Sequence, residues 1–174
     1  MIKTFARLTA LLLAAAFAPA ADGNTPTVVI LVRHAEKAAV EGNDPPLSEA
    51  GAKRAQRLIE VAEGAGVEAV YTTQFRRTRE TGQPLAARLG VPVVAVEVTR
   101  ENAAAHPSAL AKEILAKHKG RTVLVVGHSN TTPQIAEALS GRRVPPLNDA
   151  TDFDTLYIVV IPETGPPRLV RAKY

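Results

Sequence analysis

Two histidines in this chain each follow an apolar, strand-like run. Thr27-Val28-Val29-Ile30-Leu31-Val32 leads into Arg33-His34-Ala35-Glu36, and Thr122-Val123-Leu124-Val125-Val126 leads into Gly127-His128-Ser129. Ligands of parallel α/β sheets collect outside the carboxyl ends of the strands, so two such ends side by side would surround one ligand with both imidazoles and a guanidinium. A neutral imidazole is nucleophilic near neutral pH, and its second nitrogen can donate to a carbonyl and so fix the tautomer. Arginine presents a planar donor fork that matches phosphate oxygens. The set suits phosphoryl transfer, with His34 in line on phosphorus and Arg33 and His128 on the equatorial oxygens. A lone strand-end Arg-His pair is more often a polar terminus than a site; the second histidine shifts that balance. Gly127 lets the backbone turn closely before His128, and a helix opens soon after, whose N-terminal amides favour an anion. Tyr71-Thr72-Thr73-Gln74-Phe75-Arg76-Arg77-Thr78-Arg79-Glu80-Thr81 leaves another strand end and opens a helix rich in arginine. Periodicity leaves open whether Arg76, Arg77 or Arg79 turns back toward the strand ends.

The elements that must position these groups alternate along the chain. Strands are predicted over Thr27–Val32, Glu68–Thr72, Val91–Val98, Thr122–Val126 and Thr155–Ile161, with a weaker one over Arg168–Ala172. Continuous β-branched runs are those of strands covered on both faces. Between them, Ser48 is placed to cap a helix whose stripe is Ala55, Leu58, Ile59 and Ala62, stopped by Gly64 and Gly66. A second helix runs from about Phe75 to Arg88, with Gly82 and Pro84 expected to disturb it. A third opens at Pro107, and a fourth begins near Pro133 and closes at Gly141. This β/α alternation predicts an α/β fold, a three-layer α/β/α sandwich with a mainly parallel central sheet.

Residues 1–20 read as a signal peptide: Lys3 and Arg7, then the apolar Leu8 to Phe17, then Ala18-Pro19-Ala20. The apolar stretch is shorter than the roughly 20 residues of a membrane span, so cleavage is expected, with no stable membrane span afterwards. That predicts an exported, periplasmic protein in which residues 21–174 form a single domain. Removing Lys3 and Arg7 from the 21 Lys and Arg leaves 19 against 17 acids, so half of the net charge of +4 belongs to the leader. With no basic run interleaved with aromatics, nucleic acid is not an expected partner. The chain has no cysteine, which excludes disulfides, thiolate metal sites and cysteine nucleophiles.

Leu31-Val32-Arg33-His34-Ala35-Glu36 resembles the Arg-His-Gly/Ala signature of the histidine phosphatase superfamily, which includes the phosphoglycerate mutase-like enzymes. Asp44-Pro45-Pro46-Leu47-Ser48-Glu49-Ala50-Gly51 is similar to the family's Leu-Ser/Thr-x-x-Gly segment, and Arg54-Ala55 to the Gln/Arg-Ala after it. Thr72-Thr73-x-x-x-Arg77-x-x-x-Thr81 resembles Ser-Ser-x-x-x-Arg-Ala-x-x-Thr and singles out Arg77; Val126-Gly127-His128-Ser129 resembles the second-histidine motif. The resemblance implies a phosphoglycerate mutase-like fold, a covalent phosphohistidine on His34, phosphate held by Arg33, Arg77 and His128, and no metal or other cofactor. The departures are Ala35 for glycine, Thr72-Thr73 for two serines and Thr78 for alanine; none removes a phosphate ligand. Asn130 is given a supporting role at most.

The family's larger members use a carboxylate after the third strand as general acid. Glu101 in Thr99-Arg100-Glu101-Asn102 sits where that group would fall, with Glu36 and Asp154 as lesser candidates and a solvent-facing loop Glu as the bland alternative. The expected function is a metal-independent hydrolase of phosphomonoesters or phosphoramidates, acting as a monomer on a small phosphorylated substrate or a phosphoprotein. A phosphomutase and an exported phosphate-binding module without turnover are the alternatives. An esterase elbow at Gly127-His128-Ser129 fails on inventory: Thr131 stands where glycine is required, and no histidine follows His128. His106 and His118 are expected to be surface histidines without a role.

Overall fold

The computed structural model describes residues 25–174, so the expected signal segment, residues 1–20, lies outside the described residues. Six strands form one sheet: β1 (Thr27–Arg33), β2 (Val67–Thr73), β3 (Val93–Val96), β4 (Thr122–Gly127), β5 (Thr155–Ile161) and β6 (Arg168–Lys173). Their spatial order is β3-β2-β4-β1-β5-β6. The β3–β2, β2–β4 and β4–β1 ladders are parallel, and β5 and β6 extend the β1 edge antiparallel. The helices are α1 (Glu49–Ala62), α2 (Arg76–Leu89), α3 (His106–Lys117) and α4 (Thr131–Ser140).

Successive strand residues point to opposite faces, and the core divides accordingly. Val29 and Leu31 of β1 and Val123 and Val125 of β4 pack with Leu110, Ile114, Ile135 and Leu139 of α3 and α4. Ile30, Val32, Leu124 and Val126 pack with Leu58, Ala62, Leu85 and Ala86 of α1 and α2. Both faces of β1 and β4 are therefore covered, which is why their sequences are unbroken apolar runs rather than alternating ones.

Two expectations shift in the structure. The third strand is only Val93–Val96, because it lies at the sheet edge and pairs with β2 alone. Pro84 does not interrupt α2, which is continuous from Arg76 to Leu89. Gly82 has a packing reason: a Cβ there would lie 2.7 Å from Val70 Cγ1 and 3.2 Å from Val126 Cγ2. Its absence lets α2 lie close on β2 and β4.

The α1 cap forms as predicted, with the Gly51 amide donating to Ser48 Oγ at 3.1 Å. The same turn is clamped to the segment after β1, where the Ser48 amide donates to Glu36 O at 2.9 Å. Any Cβ on Gly51 would collide with that carbonyl. The Leu-Ser-x-x-Gly spacing is thus a close approach of α1 to the strand end.

Candidate active site

The β1–β4 register pairs Arg33 with Gly127, so His34 and His128 are the next residues along two adjacent parallel strands. The His34 amide donates to Gly127 O at 2.9 Å, and the two imidazole rings lie 5.4 Å apart, edge to face. Gly127 is needed here, because a Cβ would lie 2.7 Å from Thr132 Oγ1 at the start of α4. That start is tied to the strand ends by the His128 amide on Thr131 Oγ1 at 3.0 Å and by Thr132 Oγ1 on Val32 O at 3.3 Å.

His34 is buried, and its Nδ1 lies 2.8 Å from Ala35 O. A carbonyl can only accept, so Nδ1 carries the proton and Nε2 keeps its lone pair. Burial lowers the pKa of His34 to about 4, the Ala35 carbonyl opposes that, and the Arg33, Arg77 and Lys37 charges lower it further. The ring is therefore neutral at physiological pH. His128 is lowered to about 3, first by burial and then by His34 and Arg77.

A chain of hydroxyls holds His128. Its Nε2 is 3.1 Å from Thr73 Oγ1, which is 2.9 Å from Thr78 Oγ1. Thr78 in turn donates toward Phe75 O at 2.8 Å and Thr73 O at 3.1 Å. Both threonines are buried, so two positions at which the sequence departs from the family pattern form one packed contact. Thr81 adds another tie, accepting from the Ala35 amide at 2.9 Å and donating to Arg77 O at 2.7 Å.

The cations differ in exposure and in partners. Arg77 is 15% exposed, stacks over Phe75 at 4.4 Å and sits 3.8 Å from Asp44. Phe75 meets the His128 ring edge to face at 5.6 Å. Arg33 is 1% exposed and committed to the segment between α4 and β5. Its Nη1 donates to Asn148 O at 3.2 Å, and its Nη2 to Asp149 O at 2.9 Å and to Asp149 Oδ1 at 2.8 Å. Phe153 covers the guanidinium at 4.0 Å. The Nε atoms of Arg33 and Arg77 are buried without a hydrogen-bond partner among the described residues. Burial lowers both pKa values, yet arginine at this depth stays a cation.

A cleft of about 330 Å³ is lined by His34, Lys37, Phe75, Arg77, His128, Ser129, Asn130 and Asp149, among others. The structure thus brings His34, Arg77 and His128 together, with Arg33 behind them. A cavity of about 570 Å³ beside α3 and α4 is larger but has no histidine in its lining, so chemistry rather than volume identifies the site. Among the described residues no three His, Cys, Asp or Glu side chains are grouped to hold a metal ion.

The three carboxylates considered from sequence lie elsewhere. Glu101 is exposed in the turn before α3 and is not in the cleft lining. Glu36 is clamped by Arg54, with Nε 2.9 Å from Oε2 and Nη2 2.6 Å from Oε1. Asp154 is paired with Lys173 at 3.0 Å. Two histidines expected at the surface are not free there. His106 is buried at the first turn of α3, and His118 Nε2 lies 2.9 Å from Tyr71 Oη. Sequence reading missed Asp149, Phe153, Lys37 and the Thr73–Thr78 pair. Asp149 contacts a residue 116 positions away, and no local pattern announces such a contact.

Comparison with family profiles matches residues 29–106 to the histidine phosphatase superfamily (branch 1). Among solved structures, the candidate phosphohistidine phosphatase SixA from Agrobacterium tumefaciens is similar at a TM-score of 0.61 and 22% identity, over 86% of this chain and 99% of that one. The protein histidine phosphatase SixA complexed with tungstate gives 0.60 and 21%, over 84% and 96%. The mycobacterial glucosyl-3-phosphoglycerate phosphatase complexed with VO3 gives 0.60 and 16%, over 84% and 98%. At these identities the likeness is one of fold. No curated protein sequence matches the chain.

Proposed function

We propose that the chain is a phosphatase of the histidine phosphatase superfamily, whose model matches residues 29–106, and that it hydrolyses a phosphomonoester or phosphoramidate through a covalent phosphohistidine on His34. The observation that carries this reading is the state of His34: buried, neutral, with Nδ1 committed to Ala35 O and Nε2 left as nucleophile in a cleft with Arg77 and His128. In the first step the Nε2 lone pair forms a bond to phosphorus and the bond to the leaving group breaks. The ring becomes an imidazolium whose Nδ1–H remains on Ala35 O. Arg77, His128 and the charge of Arg33 offset the negative charge on the equatorial oxygens. In the second step water attacks phosphorus, the P–N bond breaks, and its electron pair returns to Nε2.

The test is phosphate release from an aryl phosphate together with mass spectrometry of protein quenched without acid. An adduct on His34 that decays as phosphate appears supports the reading. Turnover that survives His34→Ala sinks it.

We further infer that residues 1–20 are a cleaved export signal and that the domain of residues 21–174 works in the periplasm. The support is the order of Lys3 and Arg7, the apolar stretch and Ala18-Pro19-Ala20. Cell fractionation with intact mass would find a mature chain beginning at Ala21; a full-length cytoplasmic product contradicts it.

A further inference from the structure

Water is a poor nucleophile until something takes its proton, and none of the carboxylates expected from sequence stands in the cleft. Among the described residues that line it, Asp149 is the sole carboxylate. Its position is held from several directions. Oδ1 accepts from Ser129 Oγ at 2.7 Å and from Arg33 Nη2 at 2.8 Å. The backbone carbonyls of Asn148 and Asp149 are fixed on the same guanidinium. The Asn148 amide, in turn, donates to Asp152 Oδ2 at 2.9 Å. Oδ2 of Asp149 has no hydrogen-bond partner among the described residues, and the side chain is 77% exposed, so water reaches it. A fixed carboxylate with one oxygen anchored and the other open to solvent is the arrangement a general base needs.

We propose that Asp149 is the general base that accepts the proton of the water attacking phosphohistidine. The proposal rests on the His34 reading above. As the water oxygen bonds to phosphorus, its proton passes to the Asp149 carboxylate. The P–Nε2 bond breaks, the electron pair returns to neutral His34, and phosphate leaves. The exposed Asp149 carboxyl then loses its proton to solvent. Ser129 acts through Asp149 and is a positioning residue, whereas Arg33 serves both phosphate and the base.

The electrostatics agree with this cycle. The Ser129 hydroxyl first, and the Arg33 charge second, hold the Asp149 carboxyl below its usual range, so the free enzyme presents the acceptor form. A phosphoryl group on His34 repels that charge and raises the carboxyl again, toward the range in which a base is effective.

The decisive experiment measures the two half-reactions separately on Asp149→Asn. Asparagine keeps an oxygen for Ser129 and Arg33 and cannot take the proton. The full-length protein is phosphorylated with phosphoramidate, excess donor is removed, and decay of phosphohistidine is followed by quench and mass spectrometry. Formation of the adduct is expected within a few-fold of wild type, and its decay slowed by roughly 10²-fold or more. Added formate is expected to restore part of the decay rate, because the cleft admits a small carboxylate. Ser129→Ala is expected to slow decay less than Asp149→Asn. Formation and decay slowed equally, without formate rescue, would overturn the proposal and reduce Asp149 to a support for Arg33. Unchanged decay would make it a bystander. Failure of the phosphohistidine reading is distinguishable, because wild-type protein would then carry no adduct on His34.

Discussion

Replacing His34 with asparagine separates the electrostatic account of the site from its chemistry. Wild-type His34 is 4% exposed and titrates at about 4, against an ordinary value of 6.5. The shift is a depression, so the unfolded chain binds a proton near pH 6.5 that the folded chain refuses until about pH 4. Stability is therefore fully retained above pH 6.5 and falls as the pH drops through the window from about 6.5 to about 4. At about 1.36 kcal/mol per unit, the loss from this one group is about 3 kcal/mol at the acid end. The asparagine side-chain nitrogen can take the place of Nδ1 on Ala35 O, so the variant loses the titration while keeping the donor. The assay is urea unfolding of both proteins at pH 7 and pH 4 in phosphate-free buffer, since an anion in the cleft would favour the imidazolium. Relative to wild type, the variant gains about 3 kcal/mol between the two conditions. Carboxylate protonation elsewhere is common to both proteins and cancels. A wild-type-to-variant difference that is the same at both pH values would refute the claim that burial keeps His34 neutral.

Arg77→Ala is expected to lower turnover by about 10²–10³-fold with folding retained, by analogy with the loss of one preorganised donor; phosphate release at the wild-type rate would remove Arg77 from the site. Glu101→Gln should leave steady-state turnover unchanged, because the group is exposed and outside the cleft lining, and a bell-shaped pH profile that loses its basic limb in this variant would restore Glu101 as the acid. Gly51→Ala forces a carbon into Glu36 O and should cost about 1–3 kcal/mol, read as a fall in Tm; an unchanged Tm would show that α1 can retreat freely. Thr73→Val removes the hydroxyl between His128 and Thr78 and should destabilise by about 1–3 kcal/mol while slowing adduct formation more than its decay; equal stability would show that the contact contributes nothing.

Much of this protein was determined by local sequence. Unbroken β-branched runs mark β1, β4 and β5 because these strands are covered on both faces or paired on both edges. Ser48 and Gly141 mark helix ends because one satisfies an amide and the other adopts a positive φ of 67°. His34 and His128 were legible because each follows a strand end, where ligands gather in such sheets, whereas Arg77 stood out from Arg76 and Arg79 only through the resemblance to the family motif. Tertiary structure decided the rest. Only the sheet order β2-β4-β1 places Thr73, His128 and His34 in one row, and only the β1–β4 register brings the two histidines level. Glu36, Glu101 and Asp154 were drawn elsewhere by burial against Arg54, by exposure and by Lys173, none of which a linear pattern encodes. Asp149 and Phe153 reached Arg33 because the chain returns after α4 to start β5 beside β1. Short-range pattern records the propensity of each segment, whereas contacts across more than a hundred residues depend on how the segments are stacked.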